Sequence, residues 1–153
     1  MTEIVYVLTN EAIPGIVKIG LTNDTVESRL SALNYHTGVP LPFECYFAAE
    51  VESCSRVEKI LHQLFSDARI NPKREFFRID PEKVVLAVSI GNFRDVTPGT
   101  MIADVDDKEA LEKEKARRPR IKLSALGINP GAKLTFSRDE KITAEVTDDN
   151  KVI

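Results

Sequence analysis

Two short apolar runs open the chain, and each of them ends on Thr-Asn: "IVYVLTN" at residues 4–10 and "GIVKIGLTN" at residues 15–23. Their branched and aromatic residues are typical of β-strands, and Pro14-Gly15 in the intervening loop marks a turn. Because this loop is short, an antiparallel hairpin is the simplest pairing of the two runs. The hairpin is the feature that most constrains the fold.

Strand and helix patterns alternate after the hairpin. "TNDTVESRLSALNYHTG" has the period of a helix, which Thr25 or Asp24 can cap and Gly38 can end, and "SCSRVEKILHQLFSDARI" is the clearest amphipathic helix. A strand (43–51) separates them, and "NPKREFFRID" predicts a turn and a short strand before Pro81 opens a third helix. We predict the α/β (α+β) class, with a small, mainly antiparallel three-stranded sheet flanked by helices.

The composition of the chain changes near residue 94. Residues 1–93 contain the alternating strands and helices, and we predict that they form the first domain. Residues 94–120 have few large apolar side chains and read as a charged linker, partly helical over 106–117. Residues 121–153 carry turn signals around two alternating strands, which predicts a small β-rich module. Because two strands bury little apolar surface, we expect this module to be incomplete or to depend on docking.

Bulk properties exclude several classes of protein. No run approaches the roughly 18 apolar residues of a membrane span, and the N-terminus lacks the basic region of a signal peptide. Cys45 and Cys54 have no metal-binding spacing and read as packing residues, so we expect a reduced, cytoplasmic location. The formal charge of −3 excludes a basic nucleic-acid coat but leaves room for a local basic track.

The ordered set of motifs resembles the GIY-YIG nuclease superfamily, and most closely its phage-type branch with the bacteriophage Orf172-like DNA-binding domain. The motifs are "VYVL", "PGIVKIG", "SRL", "TGVPLPFE", "VEKILHQLF", "ARIN" and "KREFF", and together they span roughly residues 4–90. The GIY triplet stands here as Ile4-Val5-Tyr6 and the YIG triplet as Lys18-Ile19-Gly20. The resemblance implies a GIY-YIG-like fold and work on DNA.

Phosphodiester hydrolysis needs an activated water and neutralised charge on the phosphate, and the resemblance assigns residues to these tasks. Glu58 would be the single ligand of Mg²⁺ or Mn²⁺, and the guanidinium of Arg29 would hold the scissile phosphate. Tyr6 would accept or orient the proton of the water, with Lys18 as the nearby cation that activates it. The family also places an asparagine after the glutamate helix, where Asn71 stands.

Three further residues are secondary candidates for the site. The family often carries a histidine one turn after its arginine; that place is Leu33 here, and His36 at the end of the same helix is a substitute. His62 shares a helical face with Glu58 and reads as a second ligand, a proton shuttle or a packing histidine. Glu75 reads as a second acid near the site or as the partner of a neighbouring arginine.

Two basic stretches are candidates for contacts with DNA phosphates. The first stretch contains Arg69, Lys73 and Arg74. The second is "KEKARRPRIK" (113–122), with Arg117, Arg118 and Arg120. A solvated charged loop and a solvated linker are the plainer interpretations. The tail after residue 121 is similar to the first half of a β module found beside restriction and modification enzymes.

We therefore predict a metal-dependent DNA endonuclease with a single-metal mechanism, acting in phage biology, restriction or repair. The alternatives are a DNA-binding module of the same fold without turnover and a protein-interaction domain. DNA is the expected partner, and a homodimer is a further expectation. The catalytic prediction requires Tyr6, Arg29 and Glu58 to converge on one solvent-open hollow. Coordinates that place the three groups on separate faces of the sheet, or that seal the phenol inside the apolar interior, would contradict this catalytic prediction.

Overall fold

The predicted hairpin forms the centre of a larger antiparallel sheet. The computed structural model describes residues 3–36, 38–99, 102, 104–118 and 121–153. The chain divides into two units, Met1–Lys115 and Ala116–Ile153. The strands of the first unit are β1 (Ile4–Thr9), β2 (Val17–Thr22), β3 (Glu44–Val51), β4 (Phe76–Phe77) and β5 (Phe93–Asp95). Their order in the sheet is β4-β2-β1-β3-β5, and every described pair is antiparallel.

The described chain has four α-helices, α1 (Val26–Tyr35), α2 (Cys54–Leu64), α3 (Pro81–Val88) and α4 (Val105–Arg117). Side-chain caps mark the starts of α1 and α3. Thr25 Oγ1 accepts a hydrogen bond from the amide of Ser28 at 3.2 Å, and Asp80 caps α3 through the amide of Glu82 at 2.9 Å. No helix among the described residues has the length and apolar character needed to cross a membrane.

The alternation of side chains along β1 separates two hydrophobic clusters. Val5 and Val7 point to one face of the sheet, where α2 and α3 cover them with residues such as Leu61. Tyr6 and its neighbours at alternate positions point to the other face, which α1 covers with residues such as Leu30. Tyr6 and Arg29 therefore lie on the face of the sheet that α1 covers, whereas Glu58, on α2, lies at the opposite face.

The structure confirms the α+β class and corrects the number of strands. The sheet has five strands in the described part of the chain, not three. The short strand predicted in "NPKREFFRID" is β4, which joins the sheet beside β2, and β5 has three residues, too few to show an alternating pattern in the sequence. β5 and the buried side chains of Ile102 and Leu111 lie in the segment predicted as a linker, which therefore contributes to the first unit.

The two cysteines are free thiols in positions consistent with packing. Cys54 is 1% exposed and belongs to the cluster under α2. Burial is the main cause that raises the pKa of its thiol to about 11, so the thiol stays protonated near neutral pH. Cys45 is partly exposed. These environments support the interpretation of both residues as structural.

The second unit is small and mostly exposed. It contains a 3₁₀ turn (Leu123–Leu126) and the strands β6 (Lys133–Phe136) and β7 (Asp139–Glu145), which pair antiparallel. Ile153 returns to exchange two backbone hydrogen bonds with Glu145. Phe136 and Ile142 are about half exposed, as expected of two strands with little to cover them. The predicted domain boundaries and the homodimer stay predictions.

Candidate functional site

Tyr6 and Arg29 are in direct contact on the face that α1 covers. Arg29 lies one turn into α1, and its Nε donates a hydrogen bond to the phenol oxygen of Tyr6 at 3.2 Å. This bond is the main cause that raises the pKa of the Arg29 guanidinium. The Arg29 side chain is otherwise exposed. The contact therefore fixes a cation at the surface by its inner nitrogen and leaves its two terminal nitrogens for an anion.

Gly20 makes room for the ring of Tyr6. The two residues are register partners in the β1–β2 pair. A Cβ atom added at Gly20 would lie 2.6 Å from the phenol oxygen and 2.7 Å from Cζ of Tyr6. The ring therefore lies across the backbone of Gly20, which explains in steric terms why the YIG triplet ends in glycine here.

The expectation that Tyr6, Arg29 and Glu58 converge on one solvent-open hollow is wrong, because the phenol is buried on the face that α1 covers and Glu58 lies on α2 at the other face of the sheet. Tyr6 is 1% exposed and packs in the cluster under α1. Water does not reach a phenol buried in this way, so Tyr6 in this geometry does not accept a proton from a water molecule. Its expected activator, Lys18, forms its ion pair with Glu75. The role that the geometry supports for Tyr6 is to position Arg29.

Lys18 lies at a small hollow on the same face of the sheet. Its Nζ is 2.5 Å from Glu75 Oε2 and 5.5 Å from the centroid of the Phe76 ring. The hollow has a volume of about 340 Å³, with Lys73 and Arg74 among its charged residues. Leu33, at the place where the family often has histidine, forms part of its apolar wall. The hollow thus combines an apolar wall with an excess of cations.

His62 connects α2 to β2. Its Nε2 is 3.2 Å from the carbonyl oxygen of Ile19, and because a carbonyl only accepts, this nitrogen carries the proton. Nε2 is also 4.0 Å from Glu58 Oε1, one turn earlier on α2, and the ring packs on Phe77 with centroids 5.1 Å apart. A nitrogen engaged in this way is not a metal ligand. His62 therefore holds the helix that carries Glu58 against the strand that carries Lys18.

The carboxylate of Glu58 lies in a partly desolvated environment with mixed charges. Burial is the first cause that raises its pKa, and the charge of Glu75 raises it further. Lys18 and Arg69 act in the opposite direction, as does His62 when it is protonated. Glu58 on one face and Lys18 on the other therefore interact electrostatically around the β2 edge of the sheet.

Glu75 interacts both with Lys18 on one face of the sheet and with Glu58 on the other. It precedes β4, and its backbone carbonyl accepts a hydrogen bond from the amide of Ile19. Its carboxylate pairs with Lys18 and acts electrostatically on both Arg29 and Glu58. The sequence marked Glu75 only as a secondary candidate within "REFF". Its central position follows from the pairing of β4 with β2, which the sequence did not predict.

The donor set around Glu58 suits Mg²⁺ or Mn²⁺ as a site with few protein ligands. No group of three or more His, Cys, Asp or Glu side chains within the described residues is arranged to hold a metal. Mg²⁺ is commonly bound by one or two carboxylates and several waters, and Glu58 is a partly buried carboxylate with a second, Glu75, in its electrostatic field. One carboxylate is compatible with a hydrated cation that keeps most of its waters, and a metal at Glu58 stays a prediction.

Glu58→Gln is expected to be more stable than the wild type at pH 7 and to lose this advantage on acidification. A carboxyl whose pKa is higher in the folded than in the unfolded chain binds more protons when folded, so stability falls as pH rises through that range. Glutamine does not titrate and avoids this loss. Thermal unfolding from pH 3.5 to 8 with a chelator present measures the difference. A wild type at least as stable as the variant at pH 7 would contradict the expectation.

The other predicted residues take separate positions. Asn71 is exposed, and its Oδ1 accepts a hydrogen bond from the amide of Lys73 at 2.9 Å, which builds the turn before Glu75. Arg69 Nε donates to the carbonyl of Arg74 at 2.7 Å, and its guanidinium lies over the Phe77 ring. These contacts shape the loop that presents Lys73 and Arg74 to the hollow.

His36 does not join the site. It caps the C-terminal end of α1, seven residues and about 10 Å along the axis from Arg29, with its ring edge-on to Tyr35. It therefore does not replace the histidine absent at Leu33.

Arg117 and Arg118 are exposed residues of the second unit, and Arg120 lies outside the described residues.

Comparison with known families gives a match over the part of the chain that contains the sheet. Residues 3–90 match the family described as the T5orf172 domain, which is more than half of the chain. No curated protein and no solved structure gives a significant match. The matched segment contains every motif on which the resemblance was based, together with the Tyr6–Arg29 contact, the hollow and Glu58. The chain therefore belongs to the T5orf172 domain family, a phage-type group associated with nucleases and DNA binding.

Proposed function

We propose that this protein is a divalent-metal-dependent DNA endonuclease of the GIY-YIG type. The observation that carries the proposal is the hydrogen bond from Arg29 to the buried phenol of Tyr6. This bond orients an exposed guanidinium, whose fork of terminal nitrogens matches the geometry of a phosphate. The family membership supports work on DNA, and the partly buried carboxylate of Glu58 supports hydrolysis.

Each residue has a defined task in the proposed reaction. Arg29 binds the scissile phosphate and offsets the charge that grows on it in the transition state. Tyr6 acts through Arg29 and is a positioning residue, while His62 positions Glu58 by holding α2 on the backbone of β2. Glu58 holds the cation. Bound there, Mg²⁺ or Mn²⁺ would supply Lewis-acid activation of a water and of the phosphate.

The proposal is tested with supercoiled, linear and branched DNA in the presence of Mg²⁺, Mn²⁺ or a chelator. We expect the wild type to nick at least one substrate with metal and none with the chelator. Glu58→Gln should lose this activity, whereas Glu52→Gln, which removes the same charge at an exposed turn before α2, should keep it. Intact substrates with both metals for the wild type would overturn the catalytic proposal.

Two observations favour a second candidate, a DNA-binding domain without turnover. Tyr6 is closed off from water, and Leu33 stands where the family often has a histidine. Both features remove groups that would handle protons in hydrolysis. Salt-dependent DNA binding without cleavage, unchanged in Glu58→Gln, would select this candidate over the endonuclease.

A further inference from the structure

We propose that the hollow beside Lys18 is a phosphate subsite for DNA, and that the carboxylate of Glu75 occupies this subsite in the free protein. The inference rests on the DNA-binding part of the proposed function and adds a ligand class to one location. It also assigns Glu75 a role that differs from metal binding, since a carboxylate paired with a cation stands where a phosphate oxygen would bind.

The burial of Lys18 is the first argument. Its side chain is 10% exposed and its ammonium lies over the ring of Phe76, so little water solvates the charge. A cation in such a position needs an anion, because an unpaired buried charge is strongly destabilising. Glu75 supplies that anion at 2.5 Å. Any ligand that displaces Glu75 has to supply a negative charge in its place.

The difference in exposure between the two partners is the second argument. The Glu75 side chain is 39% exposed, about four times as much as that of Lys18. Glu75 therefore is the partner that can turn out into solvent and be rehydrated, while Lys18 stays at the wall of the hollow. A DNA phosphate that enters from the open side can take over the ion pair without moving the strand β2.

The charge around the hollow is the third argument. Lys18, Lys73 and Arg74 line it together with a single acid, Glu75. Arg29 also lies within the electrostatic field of Glu75. Without this carboxylate the hollow has only cations among its charged lining residues in the described chain. An anionic ligand would then meet a focused positive potential, which is the arrangement expected for phosphate binding.

The test is DNA binding in the presence of a chelator, so that cleavage and metal do not contribute. Glu75→Gln should bind duplex DNA about two- to fivefold more tightly, because this factor corresponds to the free energy of a partly exposed ion pair. In the wild type the displaced Glu75 carboxylate takes up a cation from solution, which offsets the counterion release of the Lys18–phosphate contact. Glu75→Gln has no such uptake, so its plot of log K against log salt should be steeper by about 0.9. Glu52→Gln makes the same change in net charge away from the hollow and should leave the slope unchanged.

The double variant Lys18→Gln/Glu75→Gln decides whether Lys18 is the cation that is released. It should lose the added slope and return to the wild-type value. As a check that does not need DNA, inorganic phosphate should raise the unfolding temperature of Glu75→Gln more than that of the wild type at matched ionic strength.

The possible failures can be told apart. A wild type that binds DNA, with a Glu75→Gln variant that is folded and binds no more tightly or with the same slope, would overturn the subsite and leave the proposed function standing. If the Glu75→Gln variant fails to fold, an unfolding temperature of the wild type that inorganic phosphate does not raise above the chloride control overturns the subsite, and a rise supports it. Absence of any DNA binding at low salt would remove both proposals.

Discussion

Arg29→Ala is expected to slow DNA nicking by about 10²–10³-fold, the cost of removing one preorganised donor for charge that develops in the transition state. The guanidinium is held by its Nε on Tyr6, so its position is set before DNA arrives. DNA affinity should fall much less, because Lys73 and Arg74 remain to contact the phosphates. Single-turnover nicking with Mg²⁺ and a parallel binding titration separate the two effects.

Two further variants show whether Tyr6 acts through Arg29. Arg29→Lys keeps the charge but loses the fork and the Nε donor, so most of the activity should still be lost. Tyr6→Phe removes only the acceptor oxygen and should have a smaller effect, about tenfold. In the Tyr6→Phe/Arg29→Ala double variant the two losses should not add. Additive losses, or an Arg29→Ala variant as fast as the wild type, would contradict the assigned roles.

The parts of the fold that local physics determines could be predicted from the sequence. The hairpin, β3, α1, α2 and α3 follow from the spacing of apolar residues and from caps such as Thr25 and Asp80. In each of these elements the spacing of apolar residues continues over enough positions to be recognised from the sequence alone. The residues Arg29 and Glu58 could likewise be chosen, because the ordered motifs mark their positions.

The arrangement of the site could not be predicted, since it depends on tertiary contacts. β4 has two residues, and its pairing with β2 is what brings Glu75 to Lys18. The burial of Tyr6 depends on how α1 covers the sheet, and the alternation of β1 alone does not report it. A sequence pattern that identifies a tyrosine as part of a site therefore does not reveal whether water reaches it.

The exposure of Ile60 and Leu64, on the other face of the sheet, likewise could not be predicted from the sequence. Both are apolar residues of the amphipathic helix predicted from "SCSRVEKILHQLFSDARI", but they are 50% and 60% exposed, while Leu61 is buried. The spacing of apolar residues along a helix predicts which face is apolar, but it does not predict how much of that face the other elements cover. The apolar residues left uncovered line a groove between α2 and α3.

Gly20→Ala is expected to destabilise the protein by about 1–3 kcal/mol, the range for an extra methyl group in a packed core. The sign of this change in stability is informative, because replacing glycine by alanine within a strand is otherwise neutral or favourable. Here the new Cβ would meet the phenol oxygen and two ring carbons of Tyr6 at less than 3 Å, and the buried ring has to shift. The shift should also disturb the bond to Arg29 and reduce nicking. Chemical unfolding and single-turnover cleavage measure the two effects.

Gly38→Ala is the matched control, because nothing lies within 4 Å of a Cβ added there, and its change in stability should stay within about 0.5 kcal/mol. A double-mutant cycle with Tyr6→Leu tests the cause. If the ring of Tyr6 is what the methyl group meets, Gly20→Ala should cost clearly less in the Tyr6→Leu background. An equal cost in both backgrounds would mean that the backbone of β2 itself rejects the methyl group. The glycine of this triplet would then be required by the strand, and its link to the orientation of Arg29 would be lost.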